Sequence, residues 1–305
     1  MGRHVTRGFA AIILVLLGLA PGMAAEAKLK AVATFSILAD LIAQVGGERV
    51  SVTSLVGPDA DAHGYAPTPG DARRVAEADL VVVNGLGFEG WIERLIKASG
   101  TKAPVIVASK GVTTIAGSHD HDDEHGHDHG DHADPHAWQS VANVKLYVAN
   151  IRDGLSTADP AHAALYAENA AAYTRKLDAL EGEIRTTLQT IPAERRRIIT
   201  THDSFGYFSA AYGMRFLAPQ GISTDSEAGP KDVARIIRQI RRDKVPAVFV
   251  ETIADPRLMQ QIARESGAKV GGRIYSDALS GPDGPAPGYL EMMRSNLTAF
   301  RDALS

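Results

Sequence analysis

The feature that most constrains the fold is the stretch "DPAHAALYAENAAAYTRKLDALEGEIRTTLQTIP", residues 159–192. Asp followed by Pro makes a good helix start: an oxygen cap, then a residue whose φ is already helical and whose missing N–H is not needed there. About thirty residues rich in Ala, Leu, Glu, Lys and Arg follow, mostly strong helix formers. At about 1.5 Å per residue they predict roughly 45 Å of helix, long enough to span two domains. The alternative is two ordinary helices broken at Gly182.

On both sides of this stretch, short apolar runs alternate with helical patterns. Before it come "LKAVATF", "RVSVTSLV", "DLVVVNG" and "PVIVAS"; after it come "RRIITT", "PAVFVE" and "KVGGRIY". "DLVVVNG" is continuously apolar, as in a parallel strand buried on both faces. Strands separated by helices predict βαβ units. The expected fold class is therefore α/β, with two doubly wound βα lobes linked by one long rigid helix. The lobes are placed at 28–156 and 193–305 and the linking helix at 157–192. "DSFGYFSAAYG" is expected to be a helix capped by its Asp, and the chain to close on an amphipathic helix.

The first residues are not expected to join the fold. Arg3 and Arg7 precede an apolar run from Phe9 to Ala20, then Pro21, Gly22 and small residues. This is the layout of a secretory signal, residues 1–27, with an apolar core too short to span a bilayer. With 45% apolar and 22% charged residues the remainder reads as globular. The chain contains no cysteine, so disulfides and thiolate metal sites are excluded. The expectation is a soluble, monomeric periplasmic protein without a lipid anchor. A formal net charge of −4 argues against nucleic acid as a partner.

"HDHDDEHGHDHGDHADPHAW", residues 119–138, carries seven histidines and seven carboxylates. It has no apolar periodicity, so residues 118–134 are expected to be a mobile loop. Binding zinc there requires ordering a floppy segment, which opposes affinity. His119, His121, His125, His127, His129 and His132 are therefore read as auxiliary: a low-affinity collector, a sensor or a docking strip for a partner. A merely solubilising loop is the bland alternative.

Outside residues 118–134 and the signal, four histidines remain. His162 lies at the start of the long helix and reads as solvated. His63, His136 and His202 sit in loops beside predicted strands, and Asp277 is placed likewise after "GGRIYS". Ligands of open α/β sheets bind beyond the carboxyl ends of strands. Three imidazoles and one carboxylate suit Zn²⁺, whereas Mn²⁺ favours more oxygen. Spacing alone leaves open four unrelated, locally satisfied residues. Asp225, Glu227 and Glu251 are possible extra carboxylates, with helix-start acids and a buried hydrogen-bonded group as the bland reading. Trp138, Phe205 and Tyr207 read as packing residues.

The segments "HGYAPTPGDARRVAEADLVVVNG", "DPHAW", "THDSFGYF", "GISTDSEAGPKDVARI" and "GPAPGYLEMMRSNL" together resemble the zinc-specific solute-binding proteins of bacterial metal-uptake ABC transporters, a cluster that includes manganese binders. The His-rich loop and missing cysteines are similar to AztC-type members. The resemblance covers essentially the whole mature chain. It implies metal ligands at His63, His136, His202 and Asp277, an interlobe metal and an inner-membrane ABC permease as partner, with a periplasmic zinc metallochaperone as a possible second. His63 and His136 would come from the first lobe, His202 and Asp277 from the second. The third ligand position is usually His in the family's zinc proteins and Glu in its manganese proteins; here it is His202. Ala66 departs from the acidic residue or Gln of many relatives, which leaves open what orients His63. The competing functions are a zinc buffer or metallochaperone acting through the loop, a manganese-binding relative, and a zinc hydrolase. Four protein ligands leave a hydrolase no position for water.

Overall fold

The computed structural model describes residues 1–2, 27–117 and 133–305. Most of the expected signal segment and the six auxiliary histidines lie outside these residues.

Two four-stranded parallel sheets make the frame. The first has the order β2-β1-β3-β4, from β1 (Leu29–Phe35), β2 (Val50–Val56), β3 (Leu80–Val83) and β4 (Val105–Val107). The second repeats the pattern as β6-β5-β7-β8, from β5 (Arg197–Ile199), β6 (Arg215–Leu217), β7 (Ala247–Glu251) and β8 (Lys269–Ile274). In each, the chain runs outward to one side and then crosses to the other. The order reverses between β1 and β3 and again between β5 and β7, where α/β proteins place their ligands. The first lobe carries helices α1 (Ser36–Gly46), α2 (Pro69–Ala76), α3 (Ile92–Ser99) and α4 (Val141–Ala158). The 18-residue α4 was not anticipated, although its buried Val141, Val144, Tyr147, Val148, Ile151 and Leu155 keep helical spacing.

The long helix is α5 (Ala163–Gln189), 27 residues or roughly 40 Å. It begins later than expected because Pro160–His162 form a separate 3-10 turn. It does not break at Gly182. Glycine costs a helix about 1 kcal/mol relative to alanine, and the flanking Leu180 and Ile184 are both fully buried. Burying each such side chain contributes about 1.5–3 kcal/mol, so packing wins. The buried stripe Tyr166, Ala170, Tyr173, Leu177, Leu180, Ile184 and Leu188 runs along one face. It lies against α1 and α4 of the first lobe and against α6 (Gly206–Tyr212) and α9 (Tyr289–Leu304) of the second. The N-cap of α6 is Phe205, without a side-chain cap, so Asp203 does not play the expected role.

The core is divided. One large cluster joins the first lobe, α5, α9 and the inner face of the second sheet. A second, small cluster lies under α7 (Pro230–Asp243) and α8 (Pro256–Ser266) on that sheet's outer face. Strand alternation makes the division: Ile198, Ala247 and Phe249 face the large cluster, while Ile199, Val248 and Val250 face the small one.

Candidate metal centre

His63, His136, His202 and Asp277 follow β2, β4, β5 and β8, beyond the carboxyl ends of both sheets. The fold brings all four together, all buried, with one ligand atom of each lying within 4.8 Å of the others. His63 Nε2 is 3.2 Å from His136 Nε2 and 3.3 Å from Asp277 Oδ2. His202 Nε2 is 3.2 Å from Asp277 Oδ2, and His136 Nε2 is 3.8 Å from Asp277 Oδ1. Donors about 2.0–2.1 Å from a tetrahedral ion stand roughly 3.3–3.4 Å apart, so the set is spaced for one cation. Neither Asp277 oxygen, nor His202 Nε2, makes a hydrogen bond with good geometry. With the Nε2 atoms of His63 and His136 they make one close cluster of donor atoms.

Each imidazole is set by its surroundings. Asp134 Oδ1 accepts from both the backbone N–H and the Nδ1 of His136, each at 2.8 Å. That places the proton on Nδ1 and leaves Nε2 free for a metal. Asp134 is itself buried, and a Cβ at Gly206 would fall 2.4 Å from its Oδ2. A side chain at position 206 would push the Asp134 carboxylate from this place. Asp134 therefore belongs to the ordered site rather than to the mobile loop in which the sequence placed it. His202 Nδ1 pairs with Glu251 Oε2, while Glu251 Oε1 accepts the N–H groups of Thr201 and His202 at 2.8 and 2.9 Å. Glu251 is thus the buried hydrogen-bonded group of the bland reading, and Asp225 and Glu227 are exposed. His63 donates its backbone N–H to Asp61 Oδ1 (2.9 Å), and its ring meets the edge of Phe88 at 4.6 Å between centroids. Aromatic packing and the preceding loop thus hold His63, with Ala66 making no polar contribution. His162 stands apart, paired with Asp159 at 2.8 Å.

Trp138, Phe205 and Tyr207 are buried, as packing residues should be, and Trp138 lies 5.2 Å from the His136 ring. A cavity of about 360 Å³ between Phe88, Ile222, Ser223 and Asp225 opens onto His63. A larger one, about 410 Å³, beside Asp203 and Arg235 touches none of the four residues.

The charges are mutually dependent. Burial pushes the Asp277 carboxyl up, but His202 and His136 outweigh it and hold the group well below the usual carboxylate range. Burial pushes His202 down, yet the charges of Glu251 and Asp277 prevail and raise it well above an ordinary imidazole. Positioning partners of this kind typically contribute 10–100-fold to metal affinity. Glu251→Gln, which retains volume but loses the charge, is expected to weaken divalent-metal binding by about that factor in a chelator-competition titration.

A two-lobed α/β protein with a buried cluster of three histidines and one aspartate between its parallel sheets is a divalent-metal-binding protein of the periplasmic-binding class. The chain belongs to the family described as zinc-uptake complex component A, periplasmic, matched over residues 31–303. It is 35% identical over 266 residues to the iron-binding protein YfeA of Yersinia pestis, covering 87% of this chain and 83% of that one. It is 34% identical over 305 residues to the manganese-binding lipoprotein MntA of Halalkalibacterium halodurans, covering 97% and 98%. The periplasmic zinc-binding protein TroA of Treponema pallidum superposes with a TM-score of 0.83 at 28% identity, over 91% of this chain and 99% of that one. Proteins of this family are solute-binding components that work with an ABC permease outside the cytoplasm, not enzymes. Among the described residues no helix is long and apolar enough to cross a membrane.

Proposed function

We propose that this protein captures Zn²⁺ in the periplasm at His63, His136, His202 and Asp277 and delivers it to an inner-membrane ABC permease. The observation that carries this reading is the donor set: three imidazole nitrogens and one carboxylate at tetrahedral spacing. Borderline nitrogen donors favour zinc, and a harder, oxygen-richer set would favour manganese. The relatives' names span iron, manganese and zinc, so the argument for zinc rests on the residues themselves. Some relatives are named lipoproteins. The 305 residues here contain no cysteine to carry such a lipid, and free diffusion as a monomer is proposed. The AztC-type assignment, with a zinc metallochaperone loading the protein, belongs to the same proposal.

Metal analysis and competition titration test this reading. The expected result is one tightly held zinc per chain, with manganese displaced by equimolar zinc. The buffer reading predicts instead that tight zinc is lost with the His-rich run. Deleting residues 118–132 decides between them and spares Asp134; the Ala116–Ala133 bridge leaves the cut ends adjacent. The carrier reading requires the shortened protein to keep its one tight zinc. Manganese retained against equimolar zinc would overturn the metal assignment.

A further inference from the structure

Asp277 follows the second sheet in sequence, but the loop that carries it is bonded largely to the first lobe. The Ser276 carbonyl accepts from Trp138 Nε1 and from Gln139 Nε2, both at 2.8 Å. The Leu279 N–H donates to Ser36 Oγ at 2.9 Å, and the Leu279 carbonyl accepts from the Asp59 N–H at 2.8 Å. At the far end the Tyr289 N–H donates to Asp40 Oδ2 (2.8 Å), and its hydroxyl donates to the Trp138 carbonyl (2.7 Å). Trp138 and Gln139 are fully buried and lie two and three residues after the ligand His136. Toward its own lobe the loop is anchored at its base, where Tyr275 exchanges hydrogen bonds with Asn296 of α9.

The His202 segment is held differently. Glu251 on β7 takes its N–H groups, Gln220 N–H donates to the Thr201 carbonyl, and Asp203 N–H donates to that of Gly221. All of these lie in the second lobe. Across the cleft, this region and α6 reach the first lobe through Thr224 Oγ1 to Asp61 Oδ2 (2.5 Å), the Ile115 N–H to the Tyr207 hydroxyl (3.4 Å) and the Val141 N–H to the Tyr212 hydroxyl (3.1 Å). Moving only the His202 segment and its 218–228 neighbour away from the first lobe breaks the Thr224–Asp61 bond and leaves the α6 contacts in place. Carrying Asp277 away would strand the buried indole and amide donors of Trp138 and Gln139, which is far more costly.

We propose that His63, His136 and Asp277 form a pre-assembled three-ligand platform on the first lobe, with Trp138 and Gln139 as positioning residues for Asp277, and that His202 alone leaves and returns as the cleft opens. This rests on the reading of the four residues as metal ligands. An incoming ion meets the platform first and His202 last; release begins with His202.

Hydrogen–deuterium exchange of the full chain, metal-free and zinc-loaded, tests the platform. In metal-free protein, residues 276–289 are expected to exchange as slowly as β1. Zinc should slow exchange at least tenfold in 200–206 and 218–228 and leave 276–289 unchanged. Fast exchange of 276–289 without metal overturns the proposal, whether or not zinc binds. Metal analysis of the same samples reports separately on the ligand assignment. Gln139→Leu removes the amide donor at similar volume, and Trp138→Phe removes the indole N–H while keeping a ring. Each is expected to speed zinc dissociation about 10–100-fold and to weaken the visible ligand-field band of the Co²⁺-loaded protein, a change that lost fold stability alone does not produce. Parent-like dissociation and cobalt spectra in both variants would refute the positioning role.

Discussion

Asp277→Ala is expected to lose tight zinc binding altogether. A four-ligand structural zinc contributes roughly 10–16 kcal/mol in zinc peptides; an even share is about 3 kcal/mol, or roughly two orders of magnitude in Kd. Asp277 contributes more than an even share, because it is the only anion among the four and is fully buried. Without it, a divalent ion faces three neutral imidazoles in a dry site. Asp277→Asn keeps the shape without the charge and should fall nearly as far. His162→Ala removes a histidine tied to Asp159 outside the site and should bind as the parent does. Chelator competition measures all three, and an Asp277→Ala protein within threefold of the parent would remove this residue from the ligand set.

Zinc affinity is expected to rise about tenfold per pH unit through neutrality. Burial opposes the charge on His202, but Glu251 and Asp277 hold it protonated above the ordinary imidazole value of 6.5. Zinc must displace that proton, and one exchanged proton is worth about 1.36 kcal/mol per pH unit. The stability of the metal-free protein moves the other way. A pKa raised by folding stabilises fully below the unfolded value of 6.5 and ceases to do so as pH climbs through the folded value. Asp277, depressed in the fold, stabilises above its unfolded value of 3.8 and loses this as pH falls through its folded value. The rise in Tm on adding zinc should therefore widen between about pH 6 and about pH 8. Calorimetry at those two pH values, in buffers of different ionisation enthalpy, counts the protons; equal affinities would contradict the account.

How much was legible in sequence follows from the range over which each signal acts. The βα alternation and the long helix are local patterns, and both lobes and α5 could be read from them. Short local features escaped it: Pro160–His162 form their own turn, closed on Asp159, and β6 is only three residues long. The meeting of His63, His136, His202 and Asp277 was legible through loop placement and resemblance; spacing alone could not join residues so far apart. The partners of His136 and His202 were harder. Asp134 looked like the last acid of a polar run, and nothing local marks it as buried against Gly206. Glu251 ends an apolar strand, and a carboxylate there is the one signal that a buried partner was waiting. The attachment of the Asp277 loop to Trp138 and Gln139 spans 137–138 residues and leaves no mark in either stretch.

The divided core has a consequence for how the molecule comes apart. The outer α7–α8 layer rests on its own small apolar cluster, separate from the one that holds everything else. Such a layer is a natural unit of subglobal melting, detaching while the remainder stays native. His202 and Glu251 sit at the tips of β5 and β7, the strands that layer covers. An ion gripped by His202 would fasten the weak layer to the strong body, so an empty protein would melt in two stages and a charged one in a single cooperative step.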